Sequence, residues 1–285
     1  MLFTSQSLRT VGGGIALLAT VLAACSETST AIEPTGPQSI TVRFAARVNG
    51  QPFRCTGSYA SVGTSSSSIQ PLDFRFYVHN IRLVTRGGQE VALAMPDNLW
   101  QRGGVALLDF ENQTGTCTGG TADTNAVVTG TIPAGDYTAL RFTLGLPFAV
   151  NHQDAATAAA PFNYTSLWWS WNGGYKFARL DFASTGQPQG WFIHLGSTGC
   201  NAVSGNQSPT LCTEPNRVEV ALTGFDVSRN LVIADLGRLV AQNNVDINAG
   251  GARGCMSGLT DPECPAILSG FGIGAAAGQR FFSMQ

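Results

Sequence analysis

The segment that most constrains the fold is Pro71 to Thr85 (PLDFRFYVHNIRLVT), which alternates apolar and polar residues. Successive side chains of a β-strand point to opposite faces of its sheet. One face of this strand therefore collects apolar residues that could cover a core, namely Leu72, Phe74, Phe76 and Val78. The other face collects polar residues and a tyrosine, namely Asp73, Arg75, Tyr77 and His79. The pattern predicts a long strand with one buried face.

Shorter segments of the same character recur along the chain, separated by Gly-, Pro- and Asn-containing turns. The predicted further strands are Ser39–Val48, Gln51–Cys55, Glu90–Ala94, Val105–Phe110, Ala126–Ile132, Asp136–Gly145, Gly174–Phe182, Gly190–Leu195, Arg217–Leu222 and Leu231–Asp235, with a closing strand near the C-terminus. One helix is expected, at the Ala-rich stretch Asp154–Ala160, whereas Leu236–Gly254 shows no periodicity. Thirty-four glycines and 12% charged residues suit this turn-rich pattern. We predict an all-β, antiparallel sandwich or barrel-like domain covering residues 39–285.

The N-terminus has the features of an export signal. Arg9 precedes the apolar segment Val11–Leu22, and Leu22-Ala23-Ala24-Cys25 is typical of a bacterial lipoprotein signal. Residues 1–24 are then a cleaved leader, Cys25 carries lipid, and residues 25–38 form a flexible tether. The alternative is an ordinary secretory signal with an incidental cysteine. The lipoprotein interpretation predicts a protein of the periplasm or outer-membrane surface, anchored to the membrane only through Cys25.

The other cysteines are even in number and indicate disulfides, as is usual in exported proteins. They are Cys55, Cys117, Cys200, Cys212, Cys255 and Cys264. Six cysteines allow fifteen pairings. Cys200 with Cys212 and Cys255 with Cys264 would close the shortest loops, and Cys55 with Cys117 would join distant segments. The spacing of zinc ribbons and thioredoxin-like sites is missing.

Several function classes are disfavoured by the sequence. The formal net charge is −2 and there is no arginine run, so nucleic acid is not an expected partner. The chain also lacks hydrolase, metalloprotease and nucleotide-binding motifs in their required context. We therefore predict that the protein is not an enzyme and has no organic cofactor.

The segment Ser166–Cys200 is unusual, because it holds four of the five tryptophans, the single lysine and one of the three histidines. The histidines His79, His152 and His194 are candidate metal ligands, since imidazole suits copper and zinc. They are far apart in sequence, so any site must be assembled by the fold. The alternative is that each histidine is a hydrogen-bonded structural residue.

The tryptophans also allow more than one interpretation. Trp169 and Trp171 lie on one face of a strand and could simply fill the core of a sandwich. A structural or adhesive β-sandwich without a metal is therefore an alternative function. Another is a carbohydrate-binding module in which Trp168 or Trp191 provides an exposed stacking surface.

A set of motifs in fixed order resembles the MbnP-type proteins, also called metallo-mystery-pair four-Cys motif proteins. The motifs are DFRFYVHNIRLV, VALLDFEN with Cys117, LRFTLGLPFAVNHQD, WWSWNGGYKFARLDF, WFIHLGSTGC and PNRVEV, and they run from about Ser39 to Asp235. The segment CMSGLTDPEC follows further along the chain. Several long motifs in one order make the resemblance specific.

The resemblance implies an exported copper-binding β protein that holds one copper ion for capture, storage or delivery. It implies a partner, a di-haem MbnH-type protein related to cytochrome c peroxidases, which oxidises a tryptophan to kynurenine. Histidines and the kynurenine amine would bind the copper. Trp169 and Trp171 match the family's WxW element and are both candidates for oxidation. His79, His152 and His194 match the motifs that carry the ligands.

The four cysteines of the family name match Cys55, Cys117, Cys200 and Cys212, which implies two disulfides among them. Cys255 and Cys264 would form a third. Three or fewer strong donors would leave the ion's shell incomplete, so Asp154, Asp181 or Met256 could add to it, although methionine more often fills gaps in a core.

Overall fold

The structure is a computed structural model that describes residues 36–170, 173–201, 208–274 and 278–285. Its strands are β1 (Pro37–Val48), β2 (Gln51–Pro52), β3 (Tyr59–Val62), β4 (Ser67–Thr85), β5 (Glu90–Ala92), β6 (Gln101–Arg102), β7 (Val105–Asp109), β8 (Val127–Pro133), β9 (Tyr137–Leu144), β10 (Trp168–Ser170), β11 (Gly174–Tyr175), β12 (Ala178–Ser184), β13 (Trp191–Leu195), β14 (Thr198–Cys200), β15 (Cys212–Glu214), β16 (Val218–Thr223), β17 (Val232–Asp235), β18 (Gly254–Cys255) and β19 (Phe282–Met284). The helices are α1 (Phe148–Asn151), α2 (Leu236–Leu239) and α3 (Cys264–Phe271), with a 3₁₀ turn at Thr165–Leu167.

Two large sheets face each other. The first follows the order β16-β9-β4-β12-β13-β18, and β3, β5 and β7 also pair with β4. The second follows β19-β17-β1-β2, and β8 also pairs with β1. Aromatic rings join the sheets: Phe44 of β1 lies 6.1 Å from Phe76 of β4 and 5.7 Å from Phe142 of β9 between ring centroids. The predicted all-β sandwich is confirmed, although β1–β17 and β13–β18 are parallel pairs within it.

Strand β4 is the centre of the first sheet, as the sequence pattern predicted. Phe74, Phe76 and Val78 are fully buried on the core face. The opposite face is also covered, and Asp73, Arg75 and Tyr77 are fully buried as well. Loops lie over it: Arg75 Nη2 donates to Gly119 O at 3.0 Å, and Tyr77 Oη donates to Pro161 O at 2.8 Å. The polar face of β4 therefore lies against an interior layer.

The predicted helix Asp154–Ala160 is wrong. That stretch forms turns, in which Ala158 N donates to Asp154 O at 2.9 Å, and Pro161 follows directly and cannot continue a helix. The short helix α1 lies just upstream instead. Two other helices, α2 and α3, occupy the C-terminal region, where no helix was predicted.

All three disulfides form, and they join Cys55 to Cys117, Cys200 to Cys212 and Cys255 to Cys264. The first joins the segment after β2 to the loop after β7. The second joins the paired strands β14 and β15, and the third joins β18 to the start of α3.

No helix in the described ranges is long and apolar enough to cross a membrane. The leader, Cys25 and most of the tether lie outside the described residues, as does Trp171.

Candidate metal centre

His194 lies on the face of β13 that points away from the core. Its neighbours in that strand, Ile193 and Leu195, are buried on the core face. The His194 side chain is 12% exposed, and its Nε2 lies 3.0 Å from Oδ1 of Asp181, a side chain that is 1% exposed. The two atoms are within ion-pair distance, and in the described part of the chain neither has a further side-chain or backbone hydrogen-bonding partner. Such atoms in a folded protein call for a bound water, an ion or a functional role.

Trp169 lies directly beside this imidazole, with 6.2 Å between the two ring centroids. The backbone positions it, because β10 and β11 form a small hairpin over the first sheet. Gly196 allows the close approach: a Cβ there would lie 2.5 Å from Trp169 Cζ3 and 2.9 Å from Tyr175 O. The loop after β13 therefore needs a residue without a side chain where the indole packs.

The indole also forms one wall of a cavity of about 390 Å³. Its other lining residues include Ser197, Thr198, Cys200 and Met256. Cys200 belongs to the disulfide with Cys212, so sulfur atoms and an aromatic ring border the same space. Trp169 is half-buried and can be reached from this cavity.

His152 lies on the other side of that disulfide. It follows α1 and is 4% exposed, and its Nε2 lies 3.7 Å from Cys212 Sγ and 3.2 Å from Asn151 Nδ2. The orientation of the Asn151 amide is fixed because its Oδ1 accepts from Tyr175 N at 3.0 Å. The Asn151 amide N–H therefore faces His152 Nε2, which accepts it. Asn151 therefore orients this histidine.

His79 is held at the end of β9. Its Nδ1 lies 2.8 Å from Gly145 O, so Nδ1 carries the proton and donates. This leaves Nε2 with its lone pair, the arrangement commonly found in metal-binding histidines. Burial lowers the pKa of His79, and Arg217 and Arg82 add to the effect although the Gly145 carbonyl opposes it. His79 is therefore neutral at neutral pH, as a ligand must be.

The three histidines are not equally close to the tryptophan. Among the described residues, their ligand atoms do not form a group within 4.8 Å of one another. Two groups of possible ligand atoms do lie this close together. Each consists of the two cysteines of a disulfide with either His152 or Glu111, and a sulfur already in a disulfide is not a thiolate ligand. The structure thus brings His194 to Trp169 and His152 to the neighbouring disulfide, while no hydrogen bond or ring contact in the described ranges joins His79 to Trp169 or His194. Asp154, a possible further ligand, lies in the turns after His152.

A buried charge network extends from Asp181 across the sheet. Arg179 Nε donates to Asp181 Oδ2 at 2.7 Å and lies 3.2 Å from Asp73 Oδ2, and Arg75 forms an ion pair with Asp73. Burial opposes ionisation of Asp181, but the neighbouring His194 and Arg179 outweigh it and lower its pKa. Asp181 therefore remains a carboxylate beside His194.

The carboxyl at the far end of the network, that of Asp109, has a pKa shifted in the opposite direction from that of Asp181. Burial raises the pKa of Asp109 to about 8, despite the opposing charge of Arg75. Sequence reasoning did not foresee that Arg75 and Arg179 belong to this network. The available signal was the pair of oppositely charged residues two apart on each of two strands, Asp73 with Arg75 and Arg179 with Asp181.

Two other residues of the segment Ser166–Cys200 have clear positions. Trp191 is fully buried, stacks on Phe182 at 5.5 Å and donates from Nε1 to Ile247 O at 3.1 Å, so it cannot be an exposed sugar platform. Lys176 donates from Nζ to Ser166 O at 2.9 Å, and burial lowers its pKa to about 8.

Fold and site together define a disulfide-linked β-sandwich protein in which a tryptophan packs beside a buried histidine–carboxylate pair. The chain belongs to the MbnP family, whose sequence model matches residues 37–257. Its structure is similar to that of MbnP from Methylosinus trichosporium, with a TM-score of 0.80 and 29% sequence identity over 87% of this chain and 98% of that one. No curated protein shows significant sequence similarity.

Proposed function

We propose that this protein is an exported, copper-binding lipoprotein that captures, stores or delivers one copper ion and does not turn over a substrate. The observation that carries the proposal is the contact of Trp169 with His194, whose buried Nε2 lies beside the carboxylate of Asp181. Membership of the MbnP family supports copper as the ion. The anchor at Cys25 and the periplasmic or outer-membrane location follow from the sequence and belong to the proposal.

The residues fit a copper ion in chemical terms. Imidazole nitrogen is a good ligand for copper, and His194 Nε2 and Asp181 Oδ1 are two buried atoms that a cation would satisfy together. His79 is a further ligand candidate, and His152 is another if its Nε2 exchanges the Asn151 amide for the ion. The ion itself would supply only its charge and affinity for nitrogen, while the chain supplies the imidazoles and the fixed geometry.

Trp169 and Trp171 are the two candidates for conversion to kynurenine, and of these Trp169 lies within the described residues. Conversion replaces the indole by an aromatic amine, with one carbon lost and one oxygen gained. The half-buried ring of Trp169 borders an open cavity, so an oxidising di-haem partner of the MbnH type could act on it from solvent. The new amine would lie beside His194, because the side chain is held there by the β10–β11 hairpin.

Peptide mapping by mass spectrometry tests the tryptophan part. Protein produced together with the di-haem partner should show the mass change at Trp169 or Trp171, and protein produced alone should show neither. Both tryptophans intact in the co-produced, oxidised material would refute the kynurenine part.

Copper stoichiometry after gel filtration tests the metal part. Parent protein should retain one copper ion, and the double variant His152→Ala/His194→Ala should retain none. The single variants His79→Ala, His152→Ala and His194→Ala then rank the ligands, with the thermal unfolding midpoint as a check on folding. Unchanged copper affinity in the double variant would refute the site and favour a structural β-sandwich.

A further inference from the structure

We propose that Arg179 is a positioning residue of the candidate metal site: its guanidinium fixes Asp181 against His194 and holds the turn that leads into the strand of Trp169. The inference rests on the proposed copper function and deepens it, because Arg179 would act on the site through other residues rather than as a ligand.

The strand register brings these side chains together on one face of the first sheet. Arg179 of β12 lies directly opposite His194 of β13, and Asp181 lies opposite Phe192. Residues directly opposite each other in an antiparallel pair share a face, as do residues two apart on one strand. Arg179, Asp181 and His194 are therefore neighbours on the face that points away from the core.

The guanidinium determines which Asp181 oxygen faces the imidazole. Arg179 Nε donates to Asp181 Oδ2 at 2.7 Å, and this leaves Oδ1 at 3.0 Å from His194 Nε2. The same Nε lies 3.2 Å from Oδ2 of Asp73 in β4, so the guanidinium is held from the neighbouring strand as well. Hydrogen bonds between ionised partners are about twice as strong as those between neutral groups, so this contact holds the carboxylate in one orientation.

A second contact of the guanidinium reaches the tryptophan segment. Arg179 Nη1 donates to Ser166 O at 3.4 Å. Ser166 lies in the 3₁₀ turn that directly precedes β10, the strand of Trp169. One planar guanidinium therefore contacts both the partner of the His194 imidazole and the segment that presents the indole to it.

A positioning role and a purely electrostatic role make different predictions for Arg179→Lys. Lysine keeps the positive charge, so this variant preserves any effect of charge alone and leaves the buried carboxylates compensated. Its ammonium is a point donor on a flexible stem and does not reproduce the fork from which Nε and Nη1 donate in two directions. Arg179→Lys should therefore fold but lose the positioning, and it decides the question if Arg179→Met fails to fold.

Copper affinity of Arg179→Lys and Arg179→Met, with Arg102→Lys and Arg102→Met as matched controls, tests the proposal. Arg102 also joins a carboxylate to a backbone carbonyl, since Nη1 donates to Asp97 Oδ2 at 3.0 Å and Nε to Ala160 O at 2.7 Å. Loss of a residue that orients a metal-binding side chain lowers metal affinity by about 10–100-fold. In protein produced together with the di-haem partner, we expect chelator competition to show a loss of about tenfold or more in both Arg179 variants and of less than about twofold in both Arg102 variants.

A second measurement needs no metal. The ring ¹⁵N resonances of His194, assigned by their loss in His194→Ala, report at one fixed pH on the contact of Nε2 with Asp181. They should shift in both Arg179 variants and stay in place in both Arg102 variants. If Arg179→Lys leaves either these resonances or the copper affinity of the parent unchanged, the positioning role is overturned and the proposed copper function stands. If the parent binds no copper, the proposed function is overturned, and the His194 resonances alone decide whether Arg179 fixes the Asp181–His194 pair.

Discussion

Gly196 gives the sharpest test of how the site is built, because Gly196→Ala places a methyl group against the indole of Trp169. The added Cβ would lie 2.5 Å from Cζ3 and 3.1 Å from Cη2 of that ring, and 2.9 Å from the carbonyl oxygen of Tyr175. The backbone of Gly196 cannot easily retreat. Its N–H donates to Ser257 Oγ at 3.0 Å, and its carbonyl accepts from Asn216 Nδ2 at 2.8 Å.

The indole must therefore move, by about 1 Å to restore ordinary carbon–carbon contact. Overpacking of this kind costs about 1–3 kcal/mol, or roughly 2–12 °C in the unfolding midpoint of a domain of this size. Displacement of the ring also moves the side chain that would become kynurenine away from His194. We expect the copper affinity of the co-produced protein to fall together with its stability.

The matched control is Gly173→Ala, whose Cβ would lie 3.3 Å from Trp169 Cβ, a tight contact that a shift of a few tenths of an ångström relieves. Denaturant unfolding followed by tryptophan fluorescence measures stability, and chelator competition measures copper affinity. If Gly196→Ala unfolds within about 0.5 kcal/mol of the parent and binds copper equally well, Trp169 is not held against Gly196 as described.

Three further predictions concern the frame around the site. In Asp109→Asn, stability should fall less than in the parent as pH rises from about 4 to about 8, because a buried carboxyl with a pKa raised to about 8 holds one extra proton in the folded protein across that window, and this linkage is worth up to about 1.4 kcal/mol per pH unit. Urea titrations at pH 5 and pH 8 in which parent and variant behave in parallel would contradict this. Arg75→Met should cost up to about 3–5 kcal/mol, because buried Asp73 loses its fully buried ion-pair partner and keeps only the contact with Arg179 at 3.2 Å, and Arg75→Met/Asp73→Leu should recover much of the loss in thermal unfolding. A double variant no more stable than the single would contradict this. Loss of the Cys55–Cys117 disulfide in Cys55→Ala/Cys117→Ala should cost about 4 kcal/mol, because it closes a loop with a sequence separation of 62; loss of the Cys255–Cys264 disulfide, with a separation of 9, should cost about 2.6 kcal/mol. If calorimetry shows that loss of the Cys255–Cys264 disulfide destabilises the protein more, the loop-entropy reasoning is wrong.

The strands could be predicted because their signal is local. Alternation with period two depends only on which side chains face the core, so β4 was predicted with its buried face correct. The short helices were harder. The helix α1 has four residues and depends on Pro147 O accepting from Val150 N and Asn151 N, whereas the Ala-rich stretch after it ends at Pro161 before a helix can form.

The sequence predicted which residues belong to the candidate site, but it did not predict how they are arranged. His194 and Trp169 were named from their motifs. Their contact depends on the β10–β11 hairpin and on Gly196, which bring together two residues that lie 25 positions apart in the sequence. The polar face of β4 was expected to be an ordinary polar face, whereas long loops bury it and turn Asp73 and Arg75 into an internal ion pair. Such coverage is a tertiary effect that no local pattern reports.

The central claim is that copper is bound beside His194. Crystals of copper-loaded protein, produced together with the di-haem partner, would show this by anomalous diffraction recorded above and below the copper absorption edge. We predict a single anomalous peak about 2 Å from Nε2 of His194, within reach of the side chain at position 169. A peak elsewhere, or no copper peak at that imidazole, would contradict the account.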